Sequence, residues 1–154
     1  LRFGTRIANI GNSDLQLGTP SEDLPHWHWD DCHGHFHYDE YAVYHLFNLI
    51  TNEQLPMSAK AGFSVIDIGV YDPELAPNGC VGYNGRNQGI SVGCQDTYSR
   101  SLRCQWIDIT GLANGDYRLE VTTNPIREID ELHYDNNTAS VNVRIFDHQV
   151  EVIE

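Results

Sequence analysis

The shortness of its apolar runs limits this chain most. β-Branched and aromatic residues alternate with polar ones over a few positions, and turn formers cut each run before a helical period can develop. "LRFGTRIANIGNSDLQLG" reads as two short strands about an Asn-Gly-Asn-Ser turn. "YAVYHLFNLI" fits either period, and its aromatic and β-branched content makes it a strand. "AGFSVIDIGV" is a further strand. "CQWIDIT", the turn "GLANGD" and "YRLEVTTN" read as a β-hairpin, with Trp106 and Asp108 on one side and Ile107 and Ile109 on the other. "ASVNVRIF" supplies a last alternating strand. With no long amphipathic helical pattern and no internal repeat, the expected fold is all-β: a β-sandwich-like domain spanning residues 1–154, with long functional loops.

The segment from Asp72 to Gly93 is long for a structureless connection, so it is functional or pinned by a disulfide. Four cysteines, Cys32, Cys80, Cys94 and Cys104, include no CxxC pair, which argues for two disulfides and an oxidising, secreted or cell-surface setting. The short separation favours Cys94–Cys104, leaving Cys32–Cys80. The sequon Asn136-Asn137-Thr138 suits a surface loop. The chain begins at Leu1 without an initiator Met, which reads as a piece of a longer protein with any signal peptide outside it. No apolar run reaches the roughly 20 residues that span a bilayer, so membrane insertion is not expected.

Twenty-two carboxylates against nine basic side chains give a formal net charge of −13. That field repels phosphate backbones and attracts cations, so nucleic acid is not an expected partner. Eight of the nine basic residues are arginines, and Lys60 is the only lysine.

The stretch "WHWDDCHGHFHYDEY" carries the densest chemistry. If residues 27–37 form one extended strand, Trp27, Trp29, Asp31, His33, His35 and His37 share a face, with Cys32, Gly34 and Phe36 on the other. Three imidazoles can then converge on one ion and leave coordination positions open; neutral imidazole suits copper, zinc, iron or nickel. His26, His28 and His45 are expected at the surface or behind the ligands.

These residues resemble the catalytic domain of the lysyl oxidases, the copper amine oxidases of the extracellular matrix. The resemblance is most specific in the W-x-W-x-x-C-H-x-H-x-H pattern and in "GCQDTYSRSLRCQWIDITGLANGDYRLEVTTNP", and it continues through "KAGFSVID" and "YDNNTASVNVRI". It implies that His33, His35 and His37 hold copper(II) and that Lys60 and Tyr98 are cross-linked into lysine tyrosylquinone. The implied reaction oxidatively deaminates primary amines, on peptidyl lysine or a small amine, with O₂ as oxidant and an aldehyde, ammonia and hydrogen peroxide as products. A self-made, amine-reactive cofactor would also account for a chain otherwise free of lysine.

Asp96, two residues before Tyr98, is the first choice for the proton-abstracting base, with Asp108 and Asp39 as alternatives. "EIDELHYDNN" resembles a calcium site of the family, with Glu131, Asn136 and Asn137 as oxygen ligands, although His133 stands where an acidic residue is expected. The family usually has a histidine where Asp30 stands, the segment after His37 is shorter than in animal members, and fewer cysteines remain. These departures suggest a bacterial or other non-animal member. The competing reading is a secreted metal-binding β-sandwich in which Lys60 never meets Tyr98.

Overall fold

A computed structural model describes residues 1–55 and 62–154. Lys60 lies outside the described residues. Within them the fold is all-β, with no helix and hence none long and apolar enough to cross a membrane.

Eleven strands follow one another among the described residues: β1 Thr5–Ala8, β2 Leu15–Gly18, β3 Trp27–Asp30, β4 His35–Tyr38, β5 Ala42–Asn48, β6 Gly69–Val70, β7 Gln88–Ile90, β8 Cys94–Tyr98, β9 Gly115–Thr123, β10 Thr138–Phe146 and β11 Gln149–Ile153. Every pairing is antiparallel: a sheet in the order β1-β8-β6, a larger one in the order β11-β10-β9-β5, and the pairs β2-β7 and β3-β4. Alternation along β5 buries Ala42, Tyr44 and Leu46, while Tyr117 and Leu119 of β9 and Val143 and Ile145 of β10 join them. Tyr98 of β8 enters the same core, so the two larger sheets share one apolar interior.

Several expectations change. Residues 27–37 are not one strand. They form a hairpin whose turn, Asp31 to Gly34, closes through a hydrogen bond from the Gly34 N–H to the Asp30 carbonyl (2.8 Å), with Gly34 at φ 68°. A residue with a Cβ is disfavoured there. The "CQWIDIT" segment forms no strand; β9 pairs with β5 and β10 instead, because its nine-residue alternation matches those long neighbours. The strand expected over "AGFSVIDIGV" shrinks to Gly69–Val70, and β11 was not foreseen.

The disulfides are Cys32–Cys104 and Cys80–Cys94, not Cys32–Cys80 and Cys94–Cys104. Cys94 opens β8, which carries the chain away from it, whereas the Tyr71 and Asp72 N–H groups bond to the Gly93 carbonyl and hold the long loop beside Cys94. That loop is therefore pinned by its disulfide, as its length suggested. Cys32, in the β3–β4 turn, is left facing Cys104.

Candidate active site

The β3–β4 register places Trp27 opposite Tyr38, His28 opposite His37, Trp29 opposite Phe36 and Asp30 opposite His35. Residues directly opposite share a face, and the face alternates along each strand. One face of the hairpin therefore carries His28, Asp30, His35 and His37, and the other carries Trp27, Trp29, Phe36 and Tyr38. The two tryptophans do not lie beside the histidines, since reversal of the chain at the turn changes which positions coincide. His33 reaches the polar face from the turn.

Ligand atoms of His33, His35 and His37 lie within 4.8 Å of one another, with ring centroids 5.1 to 5.6 Å apart. His37 is buried and His35 exposed, so the cluster has a protein wall on one side and solvent on the other. A second group, His28, Asp30 and His37, meets the same separation. Three neutral imidazoles with a solvent side fit copper or another borderline transition ion, held with positions free for small molecules. His28 pairs with Asp39 at 2.6 Å, His26 with Glu128 at 3.0 Å, and His45 takes the side-chain amide of Gln54 at 3.0 Å.

Tyr98 is almost wholly buried and its O–H donates to the Ser64 carbonyl at 2.8 Å. Its oxygen also makes a short contact with Asp96 Oδ2. One hydroxyl proton cannot serve both acceptors. The Tyr98 hydroxyl therefore donates to one of the two at a time, the Ser64 carbonyl or Asp96 Oδ2. Burial pushes Asp96 up to about 7, against opposing hydrogen bonds from Tyr98 and the Ile66 and Thr97 N–H groups. Burial, and then the Asp96 charge, raise Tyr98 well above the usual phenol range. Asp108 accepts from the hydroxyl and N–H of Thr110 in an exposed turn, and these bonds lower its pKa. Of the three aspartates considered, only Asp96 touches Tyr98.

The backbone after the undescribed segment joins the two groups. A Cβ on Gly62 would meet His28 Cε1 at 2.8 Å, Asp39 Oδ1 at 3.0 Å and His37 Cβ at 3.2 Å, so the chain passes directly against the histidine face. Phe63 exchanges backbone hydrogen bonds with Tyr38, and its ring stands edge-on to Tyr98 at 4.8 Å. Ser64 supplies the carbonyl to Tyr98. Buried Gln88 locks this run, accepting from the Val65 N–H and donating to the Phe36 carbonyl. Gly62 and Ser64 fall within "KAGFSVID" without a role assigned there and Gln88 carries no motif, so only their contacts reveal what they do.

A model of the lysyl oxidase family matches residues 1–154, the whole chain. The chain belongs to the lysyl oxidase family. It is 36% identical over 152 residues to protein-lysine 6-oxidase of Sus scrofa, covering 96% of this chain and 57% of that protein. The human protein-lysine 6-oxidase is also 36% identical over 152 residues, with 96% of this chain and 34% of that protein covered. Lysyl oxidase homolog 2 of Xenopus tropicalis is 33% identical over 150 residues, covering 97% of this chain and 19% of that protein. This lysyl oxidase family chain thus spans from about a fifth to somewhat over half of these relatives. All three are animal proteins and lend no support to an origin outside animals.

At the expected calcium position, Glu131 Oε1 accepts from the amides of Asn124 (2.6 Å) and Asn137 (2.8 Å), while Asn136 is exposed beside them. Both N–H donors fall on the one oxygen, Oε1. A calcium ion would require the oxygen of Asn137 in place of its amide nitrogen.

Proposed function

We propose that the chain forms the core of a secreted, copper-dependent amine oxidase acting on peptidyl lysine or a related primary amine. The overall reaction is RCH₂NH₂ + O₂ + H₂O → RCHO + NH₃ + H₂O₂. Membership of the lysyl oxidase family supports this reading. So does one observation above the others: the run from Gly62 to Ser64, two residues after Lys60, touches the histidine face at one end and Tyr98 at the other.

His33, His35 and His37 would hold the copper, and Lys60 and Tyr98 would supply the lysine tyrosylquinone. Together these groups would provide an O₂-reactive metal and an electron sink able to acidify the carbon next to a bound amine. Asp96 is the base, since a carboxyl with a pKa of about 7 can take and return a proton near neutrality. Phe63 covers Tyr98 edge-on at 4.8 Å between ring centroids, and Tyr41 packs on Phe63 in turn at 5.9 Å. Tyr41 lines an open groove of about 1180 Å³ whose lining also includes Glu128, Asp130 and Glu131, carboxylates that favour a cationic chain.

The test is hydrogen peroxide release from a lysine-rich peptide by copper-reconstituted protein, paired with a redox-cycling quinone stain. Lys60→Arg should keep copper but lose both signals, because guanidinium stays protonated and cannot act as a nucleophile. A wild-type protein that binds copper yet gives neither signal would leave a metal-binding module. Calcium at Glu131, Asn136 and Asn137 is testable separately, by a melting temperature that rises with added calcium.

A further inference from the structure

We propose that Asp30 is itself a ligand of the metal, making the centre a three-histidine, one-carboxylate site; this rests on the reading that His33, His35 and His37 hold copper. Its two oxygens divide between two of the histidines: Oδ1 lies 3.2 Å from His33 Nδ1, and Oδ2 lies 3.2 Å from His37 Nδ1. Ligand atoms about 2.0–2.2 Å from a shared ion sit roughly 3.0–3.4 Å from each other, so these separations are those of neighbouring ligands.

The tautomer of His33 strengthens the case. Its Nε2 is 2.7 Å from the Arg103 carbonyl, which can only accept, so Nε2 carries the hydrogen. In the neutral ring Nδ1 then presents a lone pair to a carboxylate oxygen. A metal held between His33 Nδ1 and Asp30 would also use His35 and His37. The Arg103 carbonyl then fixes the ring from behind, as an outer partner does for a ligating imidazole.

Asp30 also has an ordinary role, since Oδ1 accepts the His33 backbone N–H at 2.8 Å within the turn. That bond uses one lone pair and leaves the others available. The register adds the element-level reason: Asp30 lies opposite His35, so both project from the hairpin's polar face at one level.

The experiment measures copper(II) affinity by chelator competition, together with the copper EPR spectrum, for wild type, Asp30→Asn, Asp30→His and Asp31→Asn. Asp31 is an exposed neighbour, so its variant removes the same charge outside the site. Asp30→Asn should weaken copper(II) by tenfold or more and change the hyperfine splitting. Asp30→His should restore affinity with an added nitrogen coupling, and Asp31→Asn should shift affinity by less than about threefold. Protein carrying ¹³C-labelled aspartate gives a check independent of folding in the variants, since a bound carboxylate produces a resolved ¹³C coupling to copper. Equal effects of the two Asn variants with an unchanged spectrum, or no ¹³C coupling, would overturn the assignment of Asp30 alone. Failure of the wild type to bind copper through the histidines would instead overturn the underlying reading.

Discussion

At the residue scale, the behaviour of this site depends on how few ligand atoms and protons it has. His35 is exposed and makes no part of the core, so His35→Ala should abolish stoichiometric copper binding while leaving the circular dichroism spectrum and melting temperature of the apo protein nearly unchanged. Copper retained in full would remove His35 from the ligand set. Asp96 gives a pH prediction with a definite sign. Its folded-state pKa, about 7, lies above the unfolded value of 3.8, so the folded protein holds the proton more tightly. Its contribution to stability is complete below about pH 4 and declines as pH rises through 7, at a limiting rate of about 1.4 kcal/mol per pH unit. Denaturant melts of the apo protein at pH 5 and pH 8 should show the loss, and Asp96→Asn should flatten it. A wild-type stability that rises over that range as steeply as in the variant would mean that Asp96 is ionised in the fold.

At the scale of elements, the two disulfides do different work. Cys32–Cys104 ties the β3–β4 turn to the segment that supplies the Arg103 carbonyl for His33, whereas Cys80–Cys94 pins the long loop to β8. By loop closure the first is worth about 4 kcal/mol and the second about 3 kcal/mol. Replacing either pair by serine should lower stability by amounts of that order, but only loss of Cys32–Cys104 should also weaken copper binding. Equal copper affinity in both double variants would detach the hairpin turn from the metal centre. The hairpin also marks where the sequence was legible. Three histidines at alternating positions identified the cluster, but Gly34 closing a turn was misread as one residue of a continuous strand. The pairing that puts Asp30 among the imidazoles was therefore invisible. Long alternations such as Thr138–Phe146 were read correctly because burial on one side enforces their period. Strand partners and disulfide partners are long-range choices that local spacing does not encode, as the misassigned "CQWIDIT" hairpin and Cys94–Cys104 pair show.

At the scale of the whole molecule, charge and connectivity govern what reaches the site and what the site becomes. A net charge of −13 and the carboxylates among the groove's lining should speed capture of cationic amines, and salt should weaken that steering as the screening length falls from about 10 Å at 0.1 M to about 3 Å at 1 M. For the active, copper-loaded protein, kcat/KM for a lysine-rich peptide should therefore fall across this range far more than kcat/KM for benzylamine, with amine protonation held constant. Parallel curves would assign the acidity to solubility instead. The central claim is that Lys60 and Tyr98, the lone lysine and a buried tyrosine, become one cofactor beside a copper site. Peptide mass spectrometry after exposure to copper and O₂ tests it most directly. The expected result is a branched peptide joining the Lys60 and Tyr98 fragments, absent from His35→Ala; two intact linear peptides from fully copper-loaded wild-type protein would contradict it.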